Sequence, residues 1–255
     1  MMPFIDIFGR SFSTYALFGI LGMFVAALLV YLRGRKHGLI FMDVLLGVVV
    51  LGAGLVVGGV VLYAITQAGN AWSNRELFSA NPVQFLQHLF GGMVFYGGLF
   101  GVVAALPIYA RIIKRDVLSI LGLLVPTLPL AHAIMRIGCF MAGCCHGVAH
   151  NTLGMVFYAS PIAPNYAVIP TQLIEVVANI LIFAFLWTHS KVERPPLRLL
   201  GLYGIMYAIM RFCLEFFRGD DARGFIFGLS TSQFISIGVL IVGIILVWKN
   251  RKSFA

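Results

Sequence analysis

With 255 residues, 60% of them hydrophobic and only 11% charged, the chain is too apolar for a water-soluble domain and reads as an integral membrane protein. Its formal net charge of +9 does not point to nucleic acid, because no basic cluster accompanies an aromatic-rich soluble module. Membrane topology and contact with anionic lipid account for a positive balance of this kind.

A spanning helix needs roughly 17–25 apolar residues. Such segments follow in order near Ser13–Leu32, Leu39–Thr66, Gly91–Tyr109, Val117–Ile137, Leu173–Thr188, Leu199–Phe217 and Phe234–Trp248. The predicted fold is therefore all-α, a polytopic bundle of about seven transmembrane helices forming one integral membrane domain over residues 1–255. Asp6 ahead of the first apolar run, the lack of a basic leader and the RGRKHG stretch after it predict an N-out helix rather than a cleaved signal.

Short loops rich in Lys and Arg stay on the cytoplasmic side. Arg33, Arg35 and Lys36 follow the first span, Arg111, Lys114 and Arg115 the third, Lys191, Arg194 and Arg198 the fifth, and Lys249, Arg251 and Lys252 the seventh. The N-terminus is thereby expected outside and the C-terminus in the cytoplasm. Arg10, Arg75, Arg136, Arg211, Arg218 and Arg223 fall on the outer half, as do the two longest connecting segments, about 67–90 and 138–170.

Arg136 and Arg211 interrupt otherwise apolar helices, where a guanidinium costs at least about 2.5 kcal/mol even on lenient insertion scales, so a function is expected of them. Phosphate is the natural partner of a planar guanidinium fork at a membrane surface. Tyr207, Arg211 and Glu215 recur every four residues and share one stripe; Glu215 either neutralises Arg211 within its helix or orients it toward an anion. Gln172 and Glu175 lie three apart on one face at the start of the fifth helix. Gly91, Gly92, Gly97 and Gly98 read either as close helix packing or as part of a site.

The densest group is Arg136-Ile-Gly-Cys-Phe-Met-Ala-Gly-Cys-Cys-His-Gly147. A disulfide among Cys139, Cys144 and Cys145 is the favoured reading for an outer, oxidising face. Zinc held by these cysteines and His146 fits by ligand type, although C-x-x-C pairs are lacking. Cys213 reads as a small packing residue. Asp43 is expected to cap the second helix, Asn81, Gln84 and Gln87 to lie in a surface arm, and His88, His132, His150 and His189 show no recognisable partners.

Taken together these segments resemble the bacterial prolipoprotein diacylglyceryl transferases over most of the chain. GGMVFYGGLFG is similar to the family's GGMSFHGGLIG, MRIGCFMAGCCHG resembles its G-R-x-G-N-F-x-N-x-E-x-x-G signature, IPTQLIE resembles HPSQLYE, and YAIMRFCLEFFRGDD resembles YGxFRxxxEFFRxPD. The resemblance implies transfer of diacylglycerol from phosphatidylglycerol to the thiol of a lipobox cysteine in a prolipoprotein signal-peptide segment, with release of glycerol phosphate. It also implies a multi-pass protein of the bacterial cytoplasmic (inner) membrane, with the active site toward the outer face among membrane lipids and no metal or soluble cofactor required.

Carried across, the resemblance makes Arg136 and Arg211 phosphate clamps, Glu215 their supporting acid and Tyr207 a headgroup contact. Gly97, Gly98, Cys139, Cys144, Gly147, Gln172 and Glu175 would line the substrate site. Several positions depart from the pattern. Tyr96 replaces a histidine proposed as general base, Cys139 an asparagine and Cys144 a glutamate, while Phe18 stands for a tyrosine and Val57 for an arginine. His146 is the candidate substitute base, with an uninvolved loop histidine as the alternative, and Cys144 or Cys145 could act as a nucleophile. Two other functions are open, a phospholipid-dependent transferase with a different acceptor and a non-catalytic lipid-binding membrane protein or transporter.

Overall fold

The computed structural model describes residues 2–73, 76, 81–158, 160, 163–192, 194–218, 225–226 and 229–251. Arg75, Arg223 and Lys252 lie outside them. The elements are helical apart from two short hairpins. Six described helices are long and apolar enough to cross a membrane: Thr14–His37, Phe41–Ser73, Val117–Ala142, Thr171–His189, Pro196–Glu215 and Thr231–Lys249. A shorter apolar helix, Tyr96–Ile112, corresponds to the expected third span.

We label the α-helices α1 (Thr14–Gly34), α2 (Phe41–Ser73), α3 (Pro82–Phe90), α4 (Phe95–Ile112), α5 (Val117–Leu124), α6 (Leu128–Ala142), α7 (Thr171–His189), α8 (Pro196–Glu215) and α9 (Thr231–Lys249). Between α5 and α6 the chain tightens into a 3-10 turn over Val125–Thr127, where Pro126 and Pro129 cannot donate to an α-helical ladder. The segment Phe4–Ile7 pairs with Arg10–Ser13 through a two-residue turn, Phe8-Gly9, with φ of 51° and 76°, the double left-handed geometry of a tight hairpin. This hairpin, and a smaller one pairing Phe225–Ile226 with Leu229–Ser230, add to the all-α expectation.

Two compact units partition the chain, residues 34–120 and residues 1–33 with 121–255. In the first unit, α2 and α4 pack through small residues. A side chain on Gly58 would collide with the Gly97 carbonyl and the Gly101 backbone, and one on Gly54 would meet Ala105 and Gly101. Glycine on both surfaces lets the backbones approach as membrane helices commonly do. At the far end of the pair, the Tyr109 hydroxyl donates to the Asp43 carbonyl (2.9 Å), and the Asp43 carboxylate accepts the Ile40 N–H (3.1 Å) at the start of α2, the expected cap. Asn81 caps α3 by accepting the Gln84 N–H at 3.2 Å, so the expected surface arm is a short helix.

In the second unit, α1 lies on α6, with Gly22 against the Ala131 backbone and Gly138 against Tyr15 and Phe18. Helices α8 and α9 meet through Gly201 and Gly243. Ser230 and Gln233 form a capping box at the start of α9, each side chain satisfying the other's backbone N–H (3.2 and 3.0 Å). One end of this unit gathers Arg33, Trp187 and Ser190, the guanidinium lying 5.1 Å from the indole ring and donating to the serine hydroxyl. Opposite it come together the last turns of α6 and α8 and the first turns of α7 and α9. Those helix ends carry the charged residues.

Candidate active site

Glu175 is the hub. Its side chain is 1% exposed, in the second turn of α7, and three arginines converge on it. Arg136 from α6 pairs with one carboxylate oxygen. Arg211 from α8 and Arg218, just beyond α8, reach the other at 3.4 and 3.7 Å. Glu215 grips Arg211 from one turn along the same helix at 2.8 Å, and Ser232 of α9 accepts from Arg211 at 3.1 Å. Four helices thus supply one cluster.

Three guanidiniums meet around one largely buried carboxylate, with a second, Glu215, beside Arg211. Guanidiniums gathered in this way suit a phosphate oxyanion, and a phosphodiester supplies one. Planar guanidiniums tied by one edge to a carboxylate keep their other edge for bidentate recognition. His132, one turn before Arg136, stands 3.2 Å from the Arg136 Nε, and its ring lies 5.5 Å from Tyr207, which in turn neighbours Tyr203 at 5.9 Å.

The loop after α6 is built against the cluster. Helix α6 ends at Gly143 in left-handed geometry (φ 73°). The next two peptides are clamped from the start of α7, where Gln172 Nε2 donates to the Cys144 carbonyl at 2.7 Å and the Thr171 hydroxyl to the Cys145 carbonyl at 2.8 Å. Cys145 is held at φ 63°, a left-handed conformation that costs a non-glycine residue on the order of 1 kcal/mol or more. Gly147 then pairs with Arg218 in an antiparallel bridge, its N–H donating to the Ile169 carbonyl (2.8 Å), while the Val148 N–H donates to Phe217 (2.9 Å). A methyl group on Gly147 would collide with the Phe217 carbonyl, so glycine is what lets this loop lie beside Arg218.

The expected disulfide is not formed. Cys139, Cys144, Cys145 and Cys213 are all free thiols. The sulfurs of Cys139, Cys144 and Cys145 all lie within 4.8 Å of one another, a triangle fixed by the two carbonyl clamps rather than a bonded pair. Arg136 Nη1 is 4.0 Å from the Cys139 sulfur. Hydrogen bonds from the Cys139 and Cys144 thiols, and then the charges of Arg218 and Arg136, hold the Cys145 thiol below its ordinary range.

Of the residues singled out by sequence, Arg136, Arg211, Glu175 and Glu215 meet in one ion-pair cluster, and Tyr207, Cys139, Cys144, Gly147 and Gln172 border it through the contacts above. His146 turns to the Gly147 carbonyl (3.1 Å) and the Phe157 ring (6.4 Å). Tyr96, Gly97 and Gly98 belong to the other unit, where Tyr96 is 41% exposed in the first turn of α4. Gly97 and Gly98 face Gly58, Leu62 and Leu55, which gives both a packing role. Arg218, His132, Ser232 and Thr171 were not singled out. His132 had a legible signal, its four-residue spacing from Arg136; Arg218 and Ser232 reach the cluster through tertiary packing alone.

The fold and cluster define a multi-pass membrane protein with a buried cationic site at one end of its helices, suited to a lipid phosphate. The prolipoprotein diacylglyceryl transferase family model matches residues 3–249. A phosphatidylglycerol–prolipoprotein diacylglyceryl transferase of Clostridium tetani is 36% identical over 246 residues, covering 94% of this chain and 93% of its own. A second such enzyme, from Clostridium perfringens, is 32% identical over 248 residues (96% and 94% of the two chains), and one from Chlorobaculum tepidum is 40% identical over 168 residues (64% and 57%). The chain belongs to the prolipoprotein diacylglyceryl transferase family.

Proposed function

We propose that the protein transfers the diacylglyceryl group of phosphatidylglycerol to the thiol of a lipobox cysteine in prolipoproteins, releasing glycerol phosphate, at the outer face of a bacterial cytoplasmic membrane. One observation carries the reading: the buried convergence of Arg136, Arg211 and Arg218 on Glu175, with Glu215 beside Arg211. A family match running unbroken from residue 3 to 249 supports one integral membrane domain.

Arg136 and Arg211 bind the phosphodiester. The acceptor sulfur attacks the glycerol carbon, a carbon–sulfur bond forms as the carbon–oxygen bond breaks, and the electron pair leaves on the phosphate oxygen. Guanidiniums already fixed by Glu175 and Glu215 meet that growing charge without reorganising. Tyr207 and His132, whose rings lie tilted against each other 5.5 Å apart, contact the headgroup. Holding a lipid and a signal-peptide helix side by side makes an encounter of two membrane-bound molecules an oriented reaction.

Purified protein in detergent, given headgroup-labelled phosphatidylglycerol and a lipobox-cysteine peptide, is expected to release glycerol phosphate and to lipidate the peptide, both followed by mass spectrometry. Absence of both products overturns the reading. Release without peptide lipidation favours a second reading, a related transferase with another acceptor, which the departures at Tyr96, Cys139 and Cys144 specifically suggest.

A further inference from the structure

We infer that Cys139, Cys144 and Cys145 form a zinc(II) site whose fourth position takes the acceptor thiol, so that the metal generates the attacking thiolate. The inference rests on the proposed transfer and assigns chemistry to its acceptor side. It departs from the sequence expectation that no metal is required, and it drops His146 from the ligand set.

Geometry is the first ground. Zinc–sulfur bonds of about 2.3 Å in a tetrahedron place sulfurs about 3.8 Å apart. The three cysteine sulfurs already lie within 4.8 Å of one another, so small side-chain rotations close the site. His146 Nδ1 instead faces the Gly147 carbonyl at 3.1 Å. Three protein ligands and one open position are the pattern of catalytic rather than structural zinc.

Construction of the loop is the second. Buried Gln172 and Thr171 fix the carbonyls of Cys144 and Cys145, Gly143 turns the chain out of α6, and Cys145 is kept in a left-handed conformation that a side chain ordinarily avoids. Strain of this kind persists where the surroundings over-determine it, commonly at functional sites. Here its effect is to bring a third sulfur to the other two. Arg136, 4.0 Å from the Cys139 sulfur, offsets the negative charge of a thiolate complex and also belongs to the proposed phosphate clamp. Metal and leaving group would therefore be neighbours.

The chemistry balances without an oxidant. The acceptor thiol binds zinc and releases its proton to water, as zinc lowers the pKa of a bound acid. Its sulfur then forms the bond to the glycerol carbon while the carbon–oxygen bond to phosphate breaks. The thioether produced is neutral and a weaker ligand, so it leaves the metal. Such a site supplies the attacking thiolate without a side-chain general base.

The test uses the full-length protein, purified in detergent under reducing conditions, with cobalt(II) as a spectroscopic stand-in for zinc. One equivalent of cobalt is expected to bind per chain with thiolate-to-metal charge-transfer absorption. Adding a lipobox-cysteine peptide without phospholipid should then shift the d–d bands toward four-sulfur coordination, and a serine-for-cysteine peptide should not. Cys139→Ser and Cys145→Ser should each lose the cobalt signal, with helicity and thermal unfolding checked in parallel. Because these variants could fail to fold, wild-type protein stripped with a chelator provides a second measurement. Its transfer rate should fall at least ten-fold and return on adding zinc.

No thiolate-bound cobalt in reduced wild-type protein, a spectrum indifferent to the cysteine peptide, or full transfer by stripped protein would each overturn the inference. Full transfer by stripped protein leaves the proposed reaction standing. A peptide-dependent spectrum with no transfer from phosphatidylglycerol leaves the thiol site standing and removes the proposed reaction.

Discussion

Glu175 shows how a single carboxylate organises a site whose visible actors are arginines. Replacing it by glutamine keeps the volume but removes the charge that Arg136, Arg211 and Arg218 share. Breaking a buried pair from one side costs about 3–5 kcal/mol, so Glu175→Gln should lower the unfolding midpoint in detergent and reduce turnover at least a hundred-fold. Arg136→Lys and Arg211→Lys should keep the charge yet lose bidentate phosphate recognition, recovering little of the activity lost in the alanine variants. Near-normal turnover in either alanine variant would remove the clamp. Gly147→Ala is a subtler case, because its methyl group would push the loop off the Phe217 carbonyl and with it displace Arg218. A drop in kcat/KM of about ten-fold or more, with a lowered melting temperature, is expected from the overpacked loop and the general sensitivity of catalysis to ångström-scale misplacement. Arg136, Arg211, Glu175 and Glu215 were legible in the sequence because charges stand out in apolar helices. Arg218 stood in the quoted EFFR run, but its reach to Glu175 was not legible because only the fold brings the two together, and the free state of the cysteines was not, since only the folded loop shows its carbonyls clamped and its sulfurs unbonded.

At the scale of elements, apolar length located every span, and small residues then decide how the spans pair. The expected second span stopped at Thr66, whereas α2 runs to Ser73, because the polar residues Gln67, Asn70 and Ser73 continue the helix beyond the apolar stretch. Pro126 and Pro129 lie inside the expected fourth span, and the structure answers them with a single 3-10 turn rather than a break. No sequence rule announced which glycines face each other. Gly58 and Gly101 do, so closely that a branched side chain at either has no room. Gly58→Val should therefore separate α2 from α4 and destabilise the unit by about 1–3 kcal/mol, as overpacking does. Gly52, which meets nothing within 4 Å, is the internal control, and Gly52→Val should leave the melting temperature nearly unchanged. Equal effects at the two positions would mean that close packing is not what Gly58 provides.

For the whole molecule, the proposed orientation rests on how unevenly two kinds of cation are placed. All five lysines, at 36, 114, 191, 249 and 252, fall in loops assigned to the cytoplasm, and every basic residue assigned to the outer half is an arginine. Loops near span ends that carry Lys and Arg are retained inside. Arginine, by contrast, is the residue suited to gripping a phosphate, and three of the arginines proposed to face outward meet at Glu175. Within the second unit the same polarity is visible, with Arg33 and Ser190 joined at one end and the arginine–carboxylate cluster at the other. A membrane-impermeant amine reagent applied to intact cells with only their outer barrier opened should thus modify none of the lysines. After the cytoplasmic membrane is permeabilised, Lys36, Lys114, Lys191 and Lys249 should all be labelled, as read by peptide mass spectrometry. Labelling of Lys191 or Lys249 before permeabilisation would place the opposite end of their unit, and with it the cluster, on the cytoplasmic side. An acceptor presented at the outer face would then be out of its reach.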